Sequence, residues 1–470
     1  MSLSEVASLV TAELESEPVH GAEPPSAARR ETLGLGVLFG AMYFIQGIGD
    51  PTDGLVAQPI NALLKSWGHT SGAITGFAAL LSIPWVLKPL YGLLSDFLPV
   101  RGSYRKSYLL LTTGATVLGM LVLYVVDLPH GAWWLLLGLL WIPAVGVAFS
   151  DVVVDALMVE KGQPRGITGS LQSVQWASLY AAMILSGWLG GYLSQHGLQK
   201  LGFVLCAAVT AVTLLLTWRL VRETPRPAAP RSMRAAVSSL ARAARTPGVW
   251  CAGGFLFLWN FNPFSTTVLY VHMTGPLGMS EQFYGTTVSL LAVASVVASV
   301  CYGFYCRRVP FGLLVHLSIV LGILATIAYW AMFDERSAVL VTLAVGFTYM
   351  TACLVQLDLA ARICPLETAG TVFALLMALE NLGISASTAV GGWMYEKGAA
   401  WWGPRTSFNV LVGIGALVTA GCWLLVPALR RYAVALRAPD LPAPAPACRG
   451  LRSRSGEPAR ESAPAIRRSP

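Results

Sequence analysis

Seven ionisable side chains fall inside the long apolar stretches of this chain: Asp50, Asp53, Lys88, Asp151, Asp155, Asp358 and Glu380. A charge facing hydrocarbon is costly, so each should meet a partner, a water-filled cavity or the membrane surface. Carboxylates in that setting can carry protons or hold a cation, and a lone lysine can attract a carboxylate. Asp50 and Asp53 are three residues apart around Pro51 and share a face if the helix continues. Gly47, Gly49, Pro51 and Gly54 make the segment breakable there, and loosened carbonyls beside a proline suit a solute or ion site. The plainer alternative is a kinked helix whose two aspartates touch water near the outer surface. Asp151 and Asp155, four apart, lie on one helical face and repel, so one of them needs a counter-charge. Lys88 is the candidate, either as a structural lock or as a group exchanged between Asp151 or Asp155 and a solute carboxylate.

Amides and aromatics add hydrogen-bonding capacity. Gln172, Gln175 and Trp176 fall on one helical stripe that would suit a planar solute, and Gln46, Asn260 and Asn262 offer the same chemistry. Such amides also join helices to one another in membranes. Glu380-Asn381 is a further acidic candidate, whereas Asp358 and Arg362, four apart, read as an intrahelical pair near the surface. The stretch WVLKPLYGLLSDFLPVRGSYRKSY, residues 85–108, ends an apolar helix at Asp96 and starts another after a short loop holding Arg101, Arg105 and Lys106.

The elements that must position these groups are membrane spans. The chain is 55% hydrophobic and 12% charged, with mean hydropathy +0.62, about half the charge density of a soluble domain. Apolar runs of spanning length recur throughout. The spans are expected at 33–64 (interrupted by GIGDPTDG), 74–94, 108–126, 133–159, 167–193 and 201–220. After a basic linker at 221–247, six more follow at 249–271, 283–305, 311–332, 338–363, 371–395 and 408–429. The domain reading is a mobile N-terminal arm (1–32), a six-helix bundle (33–220), the linker, a second bundle (248–429) and a disordered tail (430–470). Loops on the side of the termini hold fifteen basic residues: Arg101, Arg105, Lys106, Lys161, Arg165, seven arginines from Arg219 to Arg245, Arg307, Arg308 and Arg362. The other side holds five: Lys65, Lys200, Arg336, Lys397 and Arg405. Both termini are therefore expected in the cytoplasm, in a plasma or inner membrane.

The same distribution explains the net charge of +8 without nucleic acid. Eight scattered cysteines with no CxxC give no disulfide framework or metal site. No cofactor is implied. The first 32 residues, with six acidic side chains, do not form a signal peptide. No Walker pattern, HExxH or nucleophile elbow occurs, which argues against ATP drive and against an enzyme.

Three matches suggest an internal repeat. Gly49-Asp50-Pro51 and Phe261-Asn262-Pro263 interrupt the first and seventh spans; Gly187 and Gly391 end the fifth and eleventh; Asp155 and Asp358 close the fourth and tenth. Two six-helix halves joined by a basic linker resemble the major facilitator superfamily. The expected fold is thus an all-α membrane protein of twelve transmembrane helices in two pseudo-symmetric bundles. Gly92-Leu93-Leu94-Ser95-Asp96 with Arg101, Arg105 and Lys106 resembles that superfamily's loop motif. The resemblance implies that Asp96 and the basic residues pair across the halves as a cytoplasmic gate. Pro84-Trp85, Lys88-Pro89-Leu90-Tyr91-Gly92, Ser95-Asp96 and Pro99 are similar to the second-helix signature of the folate–biopterin transporters. Phe149-Ser150-Asp151-Val152-Val153-Val154-Asp155-Ala156 with Glu160 is similar to the fourth-helix signature, and Tyr43-Phe44-Gln46-Gly47 to the first.

The function this implies is secondary transport, by a monomer, of a small organic anion such as a folate or pterin. Protons would offset the anion's charge against the membrane potential; aspartates and free carbonyls would also hold sodium. The expected pathway residues are Asp50, Asp53, Lys88, Asp151, Asp155, Gln172, Gln175, Trp176, Asn262, Glu380 and Asn381. A permease for a peptidoglycan fragment or an acyl-CoA-type compound is the alternative. A membrane receptor or assembly protein is the alternative of another class.

Overall fold

The computed structural model describes residues 26–162, 165, 167–223, 238, 241, 245–305, 311–363 and 369–435. The arm up to residue 25, most of the linker and the tail beyond residue 435 lie outside the described residues, as do the side chains of Asp358 and Arg362. Apart from one isolated bridge between Val100 and Ser103, the regular structure described is helical. That follows from the setting, because a chain in hydrocarbon must satisfy its backbone within each segment.

The first expected span is α1 (Ser26–Gly49) and α2 (Ala57–Ser66); the second is α3 (Ser71–Leu81), α4 (Ile83–Val86) and α5 (Lys88–Phe97). Then follow α6 (Lys106–Val125), α7 (Trp133–Gly162), α8 (Thr168–Gln195) and α9 (Gln199–Leu220). The second half holds α10 (Pro247–Asn260), α11 (Thr266–Thr274), α12 (Glu281–Tyr305), α13 (Phe311–Ala328), α14 (Glu335–Ile363), α15 (Ala369–Trp402), α16 (Pro404–Gly421) and α17 (Val426–Ala435).

Among the described residues, nine helical segments are long and apolar enough to cross a membrane. The expected fifth, seventh and eleventh spans are not among them. The seventh is divided into α10 and α11, each too short to cross alone. The fifth and eleventh, α8 and α15, are diluted by glycine, serine and amide side chains. α1 begins at Ser26 rather than at the expected Leu33, because Ala, Arg and Glu extend a helix readily beyond the apolar run. Glu31 in that extension pairs with Arg165 at 2.5 Å.

Two proline effects set the geometry near the candidate site. In the first span the helix stops at Gly49, and the Asp50 carboxylate accepts the Thr52 N–H (2.9 Å) and hydroxyl (2.7 Å) in a tight turn around Pro51. In the second, Pro84 and Pro89 lack the N–H that would continue the ladder, so the helix divides at Ser82 and again at Leu87. Trp85 and Lys88 consequently sit at junctions of short helical pieces.

α1 packs on α8 and α9, α9 on α6, and α6 on α7; in the second half α10 packs on α15, α15 on α16, α16 on α13, and α13 and α12 on α14. The two groups meet where α8 lies along α12 and where α3 to α5 lie along α15. Each group contains two buried apolar clusters, one toward each end. In the first group they centre on Phe77, Leu140 and Phe203 and on Phe39, Tyr43 and Leu157. In the second they centre on Phe255 and Leu314 and on Tyr270 and Phe408.

Candidate functional site

A polar cluster joins the first, second, fourth and fifth spans. Lys88 Nζ stands 2.6 Å from Asp151 Oδ2 and 4.5 Å from the centre of the Trp85 indole ring. Gln46 Nε2 donates to the other Asp151 oxygen at 2.6 Å. One turn further along α7, Asp155 Oδ1 accepts the Tyr43 hydroxyl at 2.5 Å and Gln175 Nε2 at 3.1 Å. The carboxylates are on one face, as their spacing requires, and α1 supplies a donor to each from Tyr43 and Gln46, three residues apart. A charge pair here is retained by hydrogen bonds that satisfy its remaining lone pairs, since Coulomb attraction alone scarcely offsets desolvation.

Asp50 and Asp53 do not share a face. The break at Pro51 turns Asp50 inward, where it is 8% exposed and held by Thr52. Asp53, three residues on, is exposed. Glu380 and Asn381 approach from α15 in the second half: Asn381 Nδ2 lies 3.4 Å from the Trp85 carbonyl oxygen, and Ser82 and Ser385 hydroxyls meet at 2.7 Å. Glu380 is within electrostatic reach of Lys88. Gln172 is exposed, and Trp176, 38% exposed, lies 6.2 Å from Tyr180. Asn262 stands apart from this group. Its Oδ1 is buried without a hydrogen-bond partner among the described residues, at the break between α10 and α11 and against Gly415 of α16.

The loop between the second and third spans is also ordered by charge. Arg105 donates to Asp96 at 2.7 Å, to Glu160 at 2.9 Å and to the Ser95 hydroxyl at 3.0 Å. All four residues belong to the first half, in contrast to the cross-half pairing that the superfamily resemblance implies. Lys106 Nζ donates to the Trp218 carbonyl at 2.8 Å. Arg101 adopts a left-handed backbone at φ 54° within the tight Val100–Ser103 turn. Glu223 is a member of this group that sequence reasoning missed. Its carboxylate accepts the Ser103 hydroxyl and the backbone N–H groups of Tyr104 (2.9 Å), Arg105 (3.1 Å) and Lys106 (3.0 Å). Partial burial opposes its ionisation, but these bonds hold the carboxyl below its ordinary range.

At the opposite end of the molecule the halves are bonded to each other. Lys65 reaches Glu281 at 3.2 Å and the Thr274 carbonyl at 2.9 Å. Gln58 donates to the Glu281 carbonyl oxygen at 2.6 Å, and the Tyr270 hydroxyl donates to its carboxylate at 3.0 Å. Glu396 of α15 accepts the Gly72 N–H at 2.8 Å, at the N-terminus of α3, where helix N–H groups favour an anion. None of these residues carried a signal in sequence beyond lying at the end of a span, where charge is ordinary.

A family model, the BT1 family, matches residues 52–426. A folate-biopterin transporter of Synechocystis sp. is 28% identical over 384 residues, covering 75% of this chain and 72% of the relative. Probable folate-biopterin transporter 4 of Arabidopsis thaliana is 23% identical, covering 74% and 86%. Folate transporter 2 of Plasmodium falciparum is 23% identical, covering 73% and 77%. Among solved structures, the nucleoside transporter NupG superposes with a TM-score of 0.65 at 14% identity, covering 83% of this chain and 98% of that one. A D-xylose–proton symporter gives 0.64 at 14%, covering 84% and 97%. These likenesses establish an all-α, multi-pass membrane fold of the major facilitator type. With its family model spanning all the helices from the Pro51 break to α17, the chain belongs to the BT1 family.

Proposed function

We propose that this protein is a secondary transporter that moves a folate- or pterin-type solute by alternating access, driven by protons. The observation that carries the reading is the Lys88–Asp151 ion pair with Asp155 beside it, on helices α5 and α7, where α5 also packs against α15 of the second half. A charge-paired cluster within spans is costly to maintain and is typical of ion and substrate pathways. The folate and biopterin named for the relatives supply the solute class. Gln172, Gln175, Trp176, Trp85 and Asn381 offer amides and ring faces for a planar heterocycle.

The twelve-span, two-bundle organisation belongs to the same proposal. Its support is that pairings in the first half have counterparts in the second: α1 with α8 matches α10 with α15, and α6 with α7 matches α13 with α14. The breaks at Pro51 and Pro263 match likewise. The charge distribution supports cytoplasmic termini. On that orientation the Lys65–Glu281 and Gly72–Glu396 contacts close the outer side, and Asp96, Arg105 and Glu160 lie at the cytoplasmic side with Arg101 and Lys106 beside them.

The test is uptake of radiolabelled folate and pterin into proteoliposomes under an imposed pH gradient, with and without sodium. Saturable uptake that rises with an acidic outside and drives protons inward supports the proposal. Uptake indifferent to the gradient removes proton coupling, and specific binding without flux favours a receptor instead.

A further inference from the structure

Inside the first half, α1, α6, α7 and α9 enclose a small cavity that the solute reading does not use. Gln46 and Gly49 of α1, Thr113 of α6, Ser150 of α7, and Thr210 and Thr213 of α9 stand on its wall. About 20 Å³ of it is open to the centre of a water molecule, which is room for one. The hydroxyls of Thr113, Thr210 and Thr213 are buried with no hydrogen-bond partner among the described residues. These threonines are only 3%, 6% and 7% exposed. Their neighbours behave otherwise. Thr112 and Thr116 donate to the carbonyls of Tyr108 (2.8 Å) and Thr112 (3.1 Å), and Ser150 donates to that of Val147 at 2.9 Å. Bonding back to the preceding turn is the usual recourse of a hydroxyl inside a helix. Thr113, Thr210 and Thr213 instead bring three unpaired hydroxyls from two helices to one small space. A Cβ on Gly49 would stand 2.7 Å from Thr210 Oγ1, so that hydroxyl rests on the last residue of α1, just before the Pro51 break.

Leaving a buried hydroxyl without a partner is costly, and here the cost would fall three times in one place. A single partner that both donates and accepts removes it. The wall holds no charged side chain among the described residues, so nothing there offsets the charge of an ion. Buried waters typically make about three hydrogen bonds to groups that would otherwise go unsatisfied. We propose that this cavity is a water-binding site, in which one ordered water bridges Thr113 of α6 to Thr210 and Thr213 of α9 behind the end of α1. The site backs onto the Lys88–Asp151 pair through Gln46, which shares the wall and donates its other contact to Asp151. It stands independently of the transporter reading.

The experiment uses the full chain in nanodiscs and two measurements. X-ray radiolysis turns water into hydroxyl radicals that oxidise the side chains beside it. Met42 lines the cavity and is 1% exposed, whereas Met120 is equally buried within an apolar cluster. Met42 should be oxidised several-fold faster than Met120 in the wild type and in Thr213→Ser, which keeps the hydroxyl. Absence of Met42 oxidation overturns the proposal, whatever the fate of the other variants. Thermal unfolding supplies the second measurement. Thr113→Val, Thr210→Val and Thr213→Val should each lower the unfolding temperature, because each leaves the water or the remaining hydroxyls short of a partner. The triple valine variant should lose much less than the sum of the three, since no hydroxyl is left in need of one. Single valine variants more stable than wild type would show a dry cavity. Losses that simply add would show hydroxyls bonded within their own helices. Stabilisation by sodium that disappears in the triple variant would put a cation where the water is assigned. Each of these three results overturns the proposal.

Discussion

The Glu223 carboxylate accepts the Lys106 N–H at 3.0 Å, which ties the first residues after α9 to the N-terminus of α6. Together with the Tyr104 and Arg105 N–H groups it caps that helix from 117 residues away in sequence. Caps of this kind are worth about 1 kcal/mol, and the helix dipole adds to the effect. Because the folded carboxyl is held below its unfolded value, its contribution is present above the ordinary carboxylate range. It is lost as pH falls through the folded value. Glu223→Gln should therefore lower the unfolding temperature at neutral pH, and the difference from wild type should shrink below about pH 4. Thermal unfolding in detergent from about pH 2.5 to about pH 7, which brackets the ordinary glutamate value of about 4.3, checks both. An offset independent of pH would exclude the charge-based cap.

How much of this was readable beforehand depended on whether a residue broke an expectation. Asp151 and Asp155 in an apolar run with one lysine nearby demanded a partner, and the Lys88 pairing followed from that cost alone. Tyr43 and Gln46 were visible as polar groups but not as partners, because which helix faces α7 is a tertiary fact. For Asp50 and Asp53 a shared face depended on the helix continuing, and it ends at Gly49, in the stretch whose glycines and Pro51 made it breakable. Glu223, in a basic linker, and Glu281 and Glu396, at span ends, occupy positions where an acid is unremarkable. Only the fold brings them to a helix N-terminus or to Lys65. The long spans were legible from composition, whereas α8 and α15 were marginal for the reason that makes them interesting: their polar residues dilute the apolar signal.

Lys88 and Asp151 should behave as a coupled pair. Removing either leaves the other's charge uncompensated in a low-dielectric site, at a cost of about 3–5 kcal/mol. Lys88→Met and Asp151→Asn should each destabilise the protein and abolish uptake. The double variant should recover part of the stability, because the partner's uncompensated charge is gone while Asp155 and Glu380 still lose Lys88 as a counter-charge. If the pair serves transport, uptake stays absent in the double variant. Recovery of uptake along with stability would show the pair to be a structural lock.

The Lys65–Glu281 and Gly72–Glu396 contacts bias which side of the molecule is open. Each bond to a charged group contributes about 1 kcal/mol or slightly more, and a bias of 1–2 kcal/mol is roughly a 5- to 30-fold change in population. Asp53→Cys, in a background without native cysteines, places a reporter at an exposed position beside the Pro51 break. Adding Glu281→Gln and Glu396→Gln should raise its labelling rate by an impermeant maleimide applied from the outer side by roughly that factor. Labelling from the cytoplasmic side should fall in step, since the two states share one population. An unchanged outer rate would mean that these contacts decorate an interface held by packing alone.

Packing at that interface is itself testable at Gly187 and Gly285, where α8 and α12 touch backbone to backbone. A Cβ on Gly187 would come within 2.7 Å of the Gly285 carbonyl oxygen and 2.9 Å of the Ser289 nitrogen, both main chain, and within 2.7 Å of the Ser289 hydroxyl, so only that hydroxyl can rotate aside. A Cβ on Gly191, one turn along, would come within 3.0 Å of the Gly285 Cα, which makes Gly187 and Gly191 a small-residue face of the kind that lets membrane helices approach. The helices should separate when this face is filled. Gly187→Ala displaces the Ser289 hydroxyl, which donates to the Ile184 carbonyl at 2.7 Å, and should slow uptake several-fold while leaving the protein folded, because the added volume is a single methyl group. Gly187→Val, wider and branched, should eliminate uptake and increase outer-side labelling of the Asp53→Cys reporter even with Glu281 and Glu396 intact. A Gly187→Val protein that transports normally would mean that α8 and α12 need not come together in the cycle, and the closed outer face would then have no mechanical role.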